Sequence, residues 1–146
     1  LDQIPLIKII KYGKTAFLRN PKAIFKKGRT IRFQFDMFHG NGVLDKAINL
    51  LDQNEREDFK FYVRNNISFN CGNMFICRSK ELMNRYYETI FPWLEKCEAT
   101  FGFKFKGYES RIYGFLAERF MAFWFNKHSK VLEIPVIYHD LTKEIL

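Results

Sequence analysis

The sequence predicts an α/β or α+β layer of about three strands flanked by helices. Two observations predict it: strand-like runs of alternating or β-branched apolar residues recur at three places, and helical apolar spacing fills the stretches between them. Three strands are few for an independent sheet, so the layer reads as part of a larger one. The 146 residues contain no internal repeat, low-complexity tract or linker-like stretch, so residues 1–146 read as one domain, large enough for a core but small for a complete enzyme.

From Leu1 to Thr30 the pattern is mixed, with an apolar run at Ile4 to Ile10 and a basic stretch interrupted by Pro21. Ile31 to Phe38 then alternates: Ile31, Phe33, Phe35 and Met37 point one way, and Arg32, Gln34 and Asp36 the other, as in a strand with one buried face. His39 to Gly42 breaks it, because two glycines and an Asn permit positive φ. A helix follows, with Leu44, Ala47, Ile48 and Leu51 at helical spacing, and a second around Glu55 to Arg64 carries Phe59, Tyr62 and Val63.

Gly72 to Ser79 reads as a short buried strand of four apolar residues between turn formers. Ser79 is placed to cap the next helix, and Glu81 favours its first turn. Leu82, Met83, Tyr86, Tyr87, Ile90, Leu94 and Cys97 line one face of that helix, and Pro92 is expected to kink or split it. After a basic loop comes a long helix through Ile112, Phe115, Leu116, Ala122 and Phe123. The β-branched run from Val131 closes the chain as a strand, at a sheet edge if Pro135 lies within it.

Composition excludes several classes. The chain is 47% hydrophobic with four prolines and eight glycines, which argues against disorder. No apolar run reaches the length of a bilayer span. The beginning at Leu1 carries no signal-peptide pattern and reads as the start of a piece of something longer. Cys71, Cys77 and Cys97 show neither CxxC nor Cys/His spacing, so they read as idle or buried thiols of a cytosolic protein. The net charge of +8 admits nucleic acid, an anionic membrane face or phosphate-bearing sugar donors and lipid-linked acceptors, beside a solvated surface with no partner. Without a zinc knuckle, an RNP-type aromatic signature or a helix-turn-helix mark, no nucleic acid partner is expected.

Candidate chemistry concentrates in the last long helix. Arg111, Gly114 and Glu118 are spaced i, i+3, i+7 and share a stripe. A mid-helix glycine costs about 1 kcal/mol against alanine, so close approach of a backbone or of a ligand would explain it. Tight packing on a sheet, with Arg111 and Glu118 paired elsewhere, is the other reading. A carboxylate there can serve as general base on an acceptor hydroxyl, and an arginine can meet a phosphate bidentately. The His39–Gly42 turn before a helix has the elements of a weak anion cradle, or is simply a turn that requires its glycines. Asp36 is a lone acid, and no metal-ligating carboxylate pair is present.

Two strings, Asn73-Met-Phe-Ile76 before a Tyr-rich helix with Trp93-Leu94, and Arg111-x-x-Gly114-Phe-Leu116-x-Glu118-Arg119, resemble a family motif set. They resemble the C-terminal half of a bacterial domain long catalogued as of unknown function, found in glycosyltransferase-like proteins of capsule, exopolysaccharide and lipopolysaccharide synthesis. The resemblance covers roughly Phe35 to Ile137. It implies a partial GT-A-like sheet and a transferase that takes a nucleotide sugar as donor and a glycan or lipid-linked acceptor. It also implies a cytosolic site of action at the inner membrane, with peripheral contact to anionic lipid. The family's N-terminal half has no match here, so that missing half is an expected partner. Arg111 and Glu118 become the expected catalytic residues, with Asn73, His39, Gly114 and Arg119 contacting substrate. A Mn or Mg ion is compatible, with no ligand identified. The competing class is a non-catalytic basic module that binds polysaccharide, an anionic membrane or a partner enzyme.

Overall fold

The computed structural model describes residues 7, 9–10, 13–72, 74–102 and 107–134, save the side chains of Tyr108 and Glu109. Six α-helices appear among them: α1 (Lys14–Arg19), α2 (Ile31–His39), α3 (Val43–Asn49), α4 (Gln53–Asn65), α5 (Lys80–Phe101) and α6 (Ile112–His128). Short 3-10 turns at Pro21–Ile24 and Lys26–Gly28 link α1 to α2, and one at Gly107–Arg111 leads into α6. No strand occurs among the described residues, which overturns the expected α/β layer and its GT-A-like sheet.

The first expected strand is helix α2, and the reason lies in its neighbours. Ile31 and Phe35, one turn apart, are buried in the main core, while Phe33 and Met37, also one turn apart, meet a second cluster with Ile9, Ala16 and Ala23. Two interleaved i, i+4 stripes, each facing a different apolar body, give the same alternation as a strand. Between them Arg32 and Asp36 form an i, i+4 ion pair at 3.8 Å. The Thr30 hydroxyl caps the helix by accepting from the Phe33 N–H at 3.3 Å.

The second expected strand has no partner to pair with. Met74 to Ser79 takes no regular structure, and Met74 and Ile76 lie in solvent, 77% and 94% exposed. Phe75, 41% exposed, lies 4.9 Å from Phe125 between ring centroids. Val131 to Ile134 is likewise irregular, and Glu133 Oε1 accepts from the amide of Asn70, which precedes the first of these segments, at 3.1 Å. Pro135 and the rest of the expected third strand lie outside the described residues.

The helices read from 3.6-residue spacing are present. Ser79 accepts from the Leu82 N–H at 3.1 Å and starts α5. α5 continues through Pro92 as one element. α5 and α6 pack with α3 and α4 around Phe59, Trp93, Phe120 and Trp124, all at most 2% exposed. The Trp93 indole donates to the Ala47 carbonyl at 2.7 Å, locking α5 to α3. Glu55, buried in the first turn of α4, meets Lys127 Nζ at 3.2 Å and His128 Nε2 at 2.8 Å, fastening α4 to the end of α6. Burial pushes the Cys97 thiol up to about 12, and Cys71, Cys77 and Cys97 are all free.

Candidate functional site

The end of α2 and the start of α6 meet through aromatic contact. The His39 ring stacks on Phe115, with centroids 4.0 Å apart and planes inclined by 20°, and turns its edge to Phe35 at 4.9 Å. Burial, with the Arg119 charge nearby, lowers the His39 pKa to about 4. The ring is therefore neutral at physiological pH.

After His39 the chain turns on Gly40 (φ +103°) and Gly42 (φ +77°), conformations that L side chains rarely adopt. Asp36, one turn back on α2, closes this turn: its Oδ1 accepts from the Gly42 N–H at 2.9 Å. Burial raises the Asp36 pKa, against the Gly42 hydrogen bond and the Arg32 charge, which lower it. Asp36, His39 and Asn41 line a cavity of about 390 Å³ together with Gly13 and Thr15 from the start of α1.

Across from this turn lie the residues of the predicted stripe, with a correction to their placing: Arg111 ends the 3-10 turn and is the N-cap residue of α6, and Gly114 stands in the first turn of α6 and not in mid-helix. Arg111 is exposed and its guanidinium lies 5.6 Å from the Phe115 ring centre. Gly114 is exposed too, and a Cβ placed on it would meet no atom within 4 Å. The close backbone approach expected there is therefore not made by the described residues. Glu118, partly exposed, accepts from Arg119 Nη1 at 3.1 Å. Arg119 itself is buried, donates to the Phe115 carbonyl at 3.0 Å and lies 4.7 Å from the Phe69 ring centre and 5.3 Å from that of Phe35. It braces the aromatic floor and is closed to a ligand.

The structure thus gathers His39, Arg111, Gly114, Glu118 and Arg119 at one end of α6, while Asn73 lies outside the described residues. Sequence reasoning set aside Asp36 as a lone acid. Its signal was helical spacing, three residues before His39 and six before Gly42. Among the described residues no group of three His, Cys, Asp or Glu side chains is placed to hold a metal ion.

A second concavity, of about 400 Å³, is lined by Arg19, Asn20, Lys22, Lys27, Gly28, Thr30, Arg32 and Arg64. Arg32 is committed to Asp45, donating from Nε at 2.8 and 3.0 Å, and Arg64 reaches the same carboxylate at 3.2 Å. The hydrogen bond to Asp45 raises the Arg32 pKa, and against the effect of burial Arg32 and Arg64 together lower that of Asp45. Arg19, Lys22 and Lys27 have no ion-pair partner among the described residues.

Fold and site define a helical domain in which a neutral buried histidine and a glycine-gapped helix stripe share one aromatic floor. The chain belongs to the family described as Domain of unknown function (DUF4422), whose model matches residues 12–129. No curated protein and no solved structure matches it.

Proposed function

We propose that the chain is part of a glycosyltransferase of bacterial surface-polysaccharide synthesis, moving a sugar from a nucleotide-sugar donor to a glycan or lipid-linked acceptor. The observation that carries this reading is the open stripe. Arg111, at the N-cap of α6, and Glu118 flank Gly114, a first-turn glycine with empty space above it, beside the Gly40–Gly42 turn that His39 holds against Phe115. Its other support is the resemblance of the Asn73–Ile76 and Arg111–Arg119 motifs to glycosyltransferase-like proteins.

In this reading the gap at Gly114 admits the sugar, and Arg111 meets the donor's phosphate. Glu118 takes the proton of the acceptor hydroxyl as its oxygen bonds to the anomeric carbon. The bond from that carbon to the diphosphate breaks, and its electron pair leaves on the nucleoside diphosphate. His39, neutral and stacked, shapes the wall and takes no part in the proton transfer. A Mn or Mg ion would enter with the diphosphate, and no side chain is assigned to it here. The site of action would be cytosolic, at the inner membrane, and the rest of the transferase would lie in another segment.

The test is a two-dimensional NMR titration with UDP- and GDP-sugars, with and without Mn²⁺. Saturable shifts at the amides of Arg111–Arg119 and Gly40–Gly42 are expected. A folded spectrum unmoved by every donor would remove the donor site from this chain. In the complete transferase, alanine at both Arg111 and Glu118 should abolish turnover with the fold retained, and retained turnover would refute the roles given to them.

The second reading, a non-catalytic basic module, is favoured by the groove of Arg19, Lys22 and Lys27. It predicts salt-sensitive binding to an anionic glycan or surface and indifference to nucleotide sugars.

A further inference from the structure

The chain's entire net charge lies at one end. Nine of its 24 Lys and Arg residues and one of its 16 Asp and Glu residues precede Asp36. The fifteen cations and fifteen acids from Asp36 onward cancel, so the +8 belongs to the first 35 residues.

Within that stretch residues 20–29 form a tightly held loop. The side chain of Arg29, a buried residue, donates from Nε to the Ala23 carbonyl at 3.0 Å and from Nη2 to the Ile24 carbonyl at 3.1 Å. The Asn20 amide donates to the Gly28 carbonyl at 3.1 Å. Gly28 presses so closely on the opposite side of the loop that a Cβ would stand 2.0 Å from the Lys22 carbonyl oxygen. These contacts fix the loop's shape, yet what it displays is apolar. Ile24 is 53% and Phe25 72% exposed, with Lys22, Lys26 and Lys27 exposed around them.

We propose that this loop is an anchor for the surface of an anionic bilayer. Ile24 and Phe25 enter the boundary between headgroups and acyl chains, and the three lysines meet the lipid phosphates. Each alternative wastes part of the surface. A polyanion in water would engage the lysines and leave Ile24 and Phe25 wet. An apolar protein groove would take the two side chains and strip water from ammonium groups that have no ion pair among the described residues. A second copy would set one +8 end against another. No helix among the described residues is long and apolar enough to cross a membrane, so the contact is peripheral. The proposal does not depend on the donor reading, because vesicle binding needs no nucleotide.

The test is co-sedimentation of the full chain with phosphatidylcholine vesicles, with and without phosphatidylglycerol. Binding is expected only to the anionic vesicles, weakening with salt. The triple substitution Lys22→Gln, Lys26→Gln, Lys27→Gln should weaken it about a hundredfold, roughly fivefold for each lysine. The double substitution Ile24→Ser, Phe25→Ser leaves the charge unchanged and should weaken it at least about tenfold. Both sets change exposed side chains, and circular dichroism checks that the helices remain. The proposal is overturned by absence of binding, by equal binding to neutral vesicles, or by a double variant that binds like the parent. Self-association without lipid that Phe25→Ser abolishes would also overturn it, by assigning the tip to a second copy.

Discussion

His39 makes the most quantitative prediction. Its pKa falls from an ordinary 6.5 to about 4 in the folded chain because the ring is buried against Phe35 and Phe115 with Arg119 nearby. Between those two values the unfolded chain binds a proton that the folded chain refuses, so stability rises with pH across this window and is lost on acidification. The full effect is about 3 kcal/mol, and about 2 kcal/mol of it should be gone on moving from neutral pH to a value near 4.5. In urea that is a fall of roughly 1–2 M in the unfolding midpoint. Carboxylates also titrate there, Asp36 and Asp45 in opposite senses, so the comparison needs a variant. His39→Phe keeps a ring over Phe115 and removes the titration. Urea unfolding followed by Trp93 and Trp124 fluorescence should show the parent losing about 2 kcal/mol more than the variant over this range. Parallel losses would refute the argument that His39 is neutral because it is buried.

Gly114→Ala should raise stability by about 0.5 kcal/mol, since the added methyl meets nothing and alanine gives up less backbone entropy than glycine in the first turn of α6. If the gap admits a sugar, the same variant should lose the donor-induced NMR shifts, and unchanged shifts would place the sugar elsewhere. Gly42→Ala should cost about 1 kcal/mol in thermal unfolding, because its Cβ would make only ordinary contact with Arg19 while φ +77° disfavours alanine. Glu55→Gln leaves Lys127 and His128 without their shared carboxylate and should cost about 2 kcal/mol in urea titration. Trp93→Phe removes the indole donor from the Ala47 carbonyl, which keeps the Leu50 N–H at 3.0 Å, and should cost about 1 kcal/mol in the same titration.

Legibility in the sequence followed the number of environments an element faces. Helices with one buried side, such as α4 with Phe59 and Val63, or α5 with Tyr86, Ile90, Trp93 and Cys97, show the 3.6-residue period plainly. α2 faces two apolar bodies, and the sum of its stripes mimics period two. The apolar triplet Met74–Ile76 has the composition of a buried strand, but composition does not report whether a pairing strand stands beside it. At the site, the need for glycine at the turn after His39 was visible, and so was the shared stripe of Arg111, Gly114 and Glu118. The stacking of His39 on Phe115 joins residues 76 positions apart, and the burial of Arg119 under Phe35 and Phe69 depends on tertiary packing. No local pattern encodes either.

The two-sided burial of α2 also orders how the molecule comes apart. Among the described residues the smaller cluster has four buried members, Ile9, Ala16, Ala23 and Phe33, and Phe33 is lent to it by α2. If the segment before Thr30 opens, Ile31 and Phe35 still hold α2 in the main core, so the body survives. If the main core melts, α2 loses the packing of Ile31 and Phe35 and with it the helix that carries Phe33. Detachment is therefore a sub-global event below the global unfolding free energy, with a hinge near Thr30. Amides of Lys14–Arg19 should exchange with deuterium well before those of α6, and a body tethered through the loop at residues 20–29 would retain freedom to tilt on whatever holds that loop.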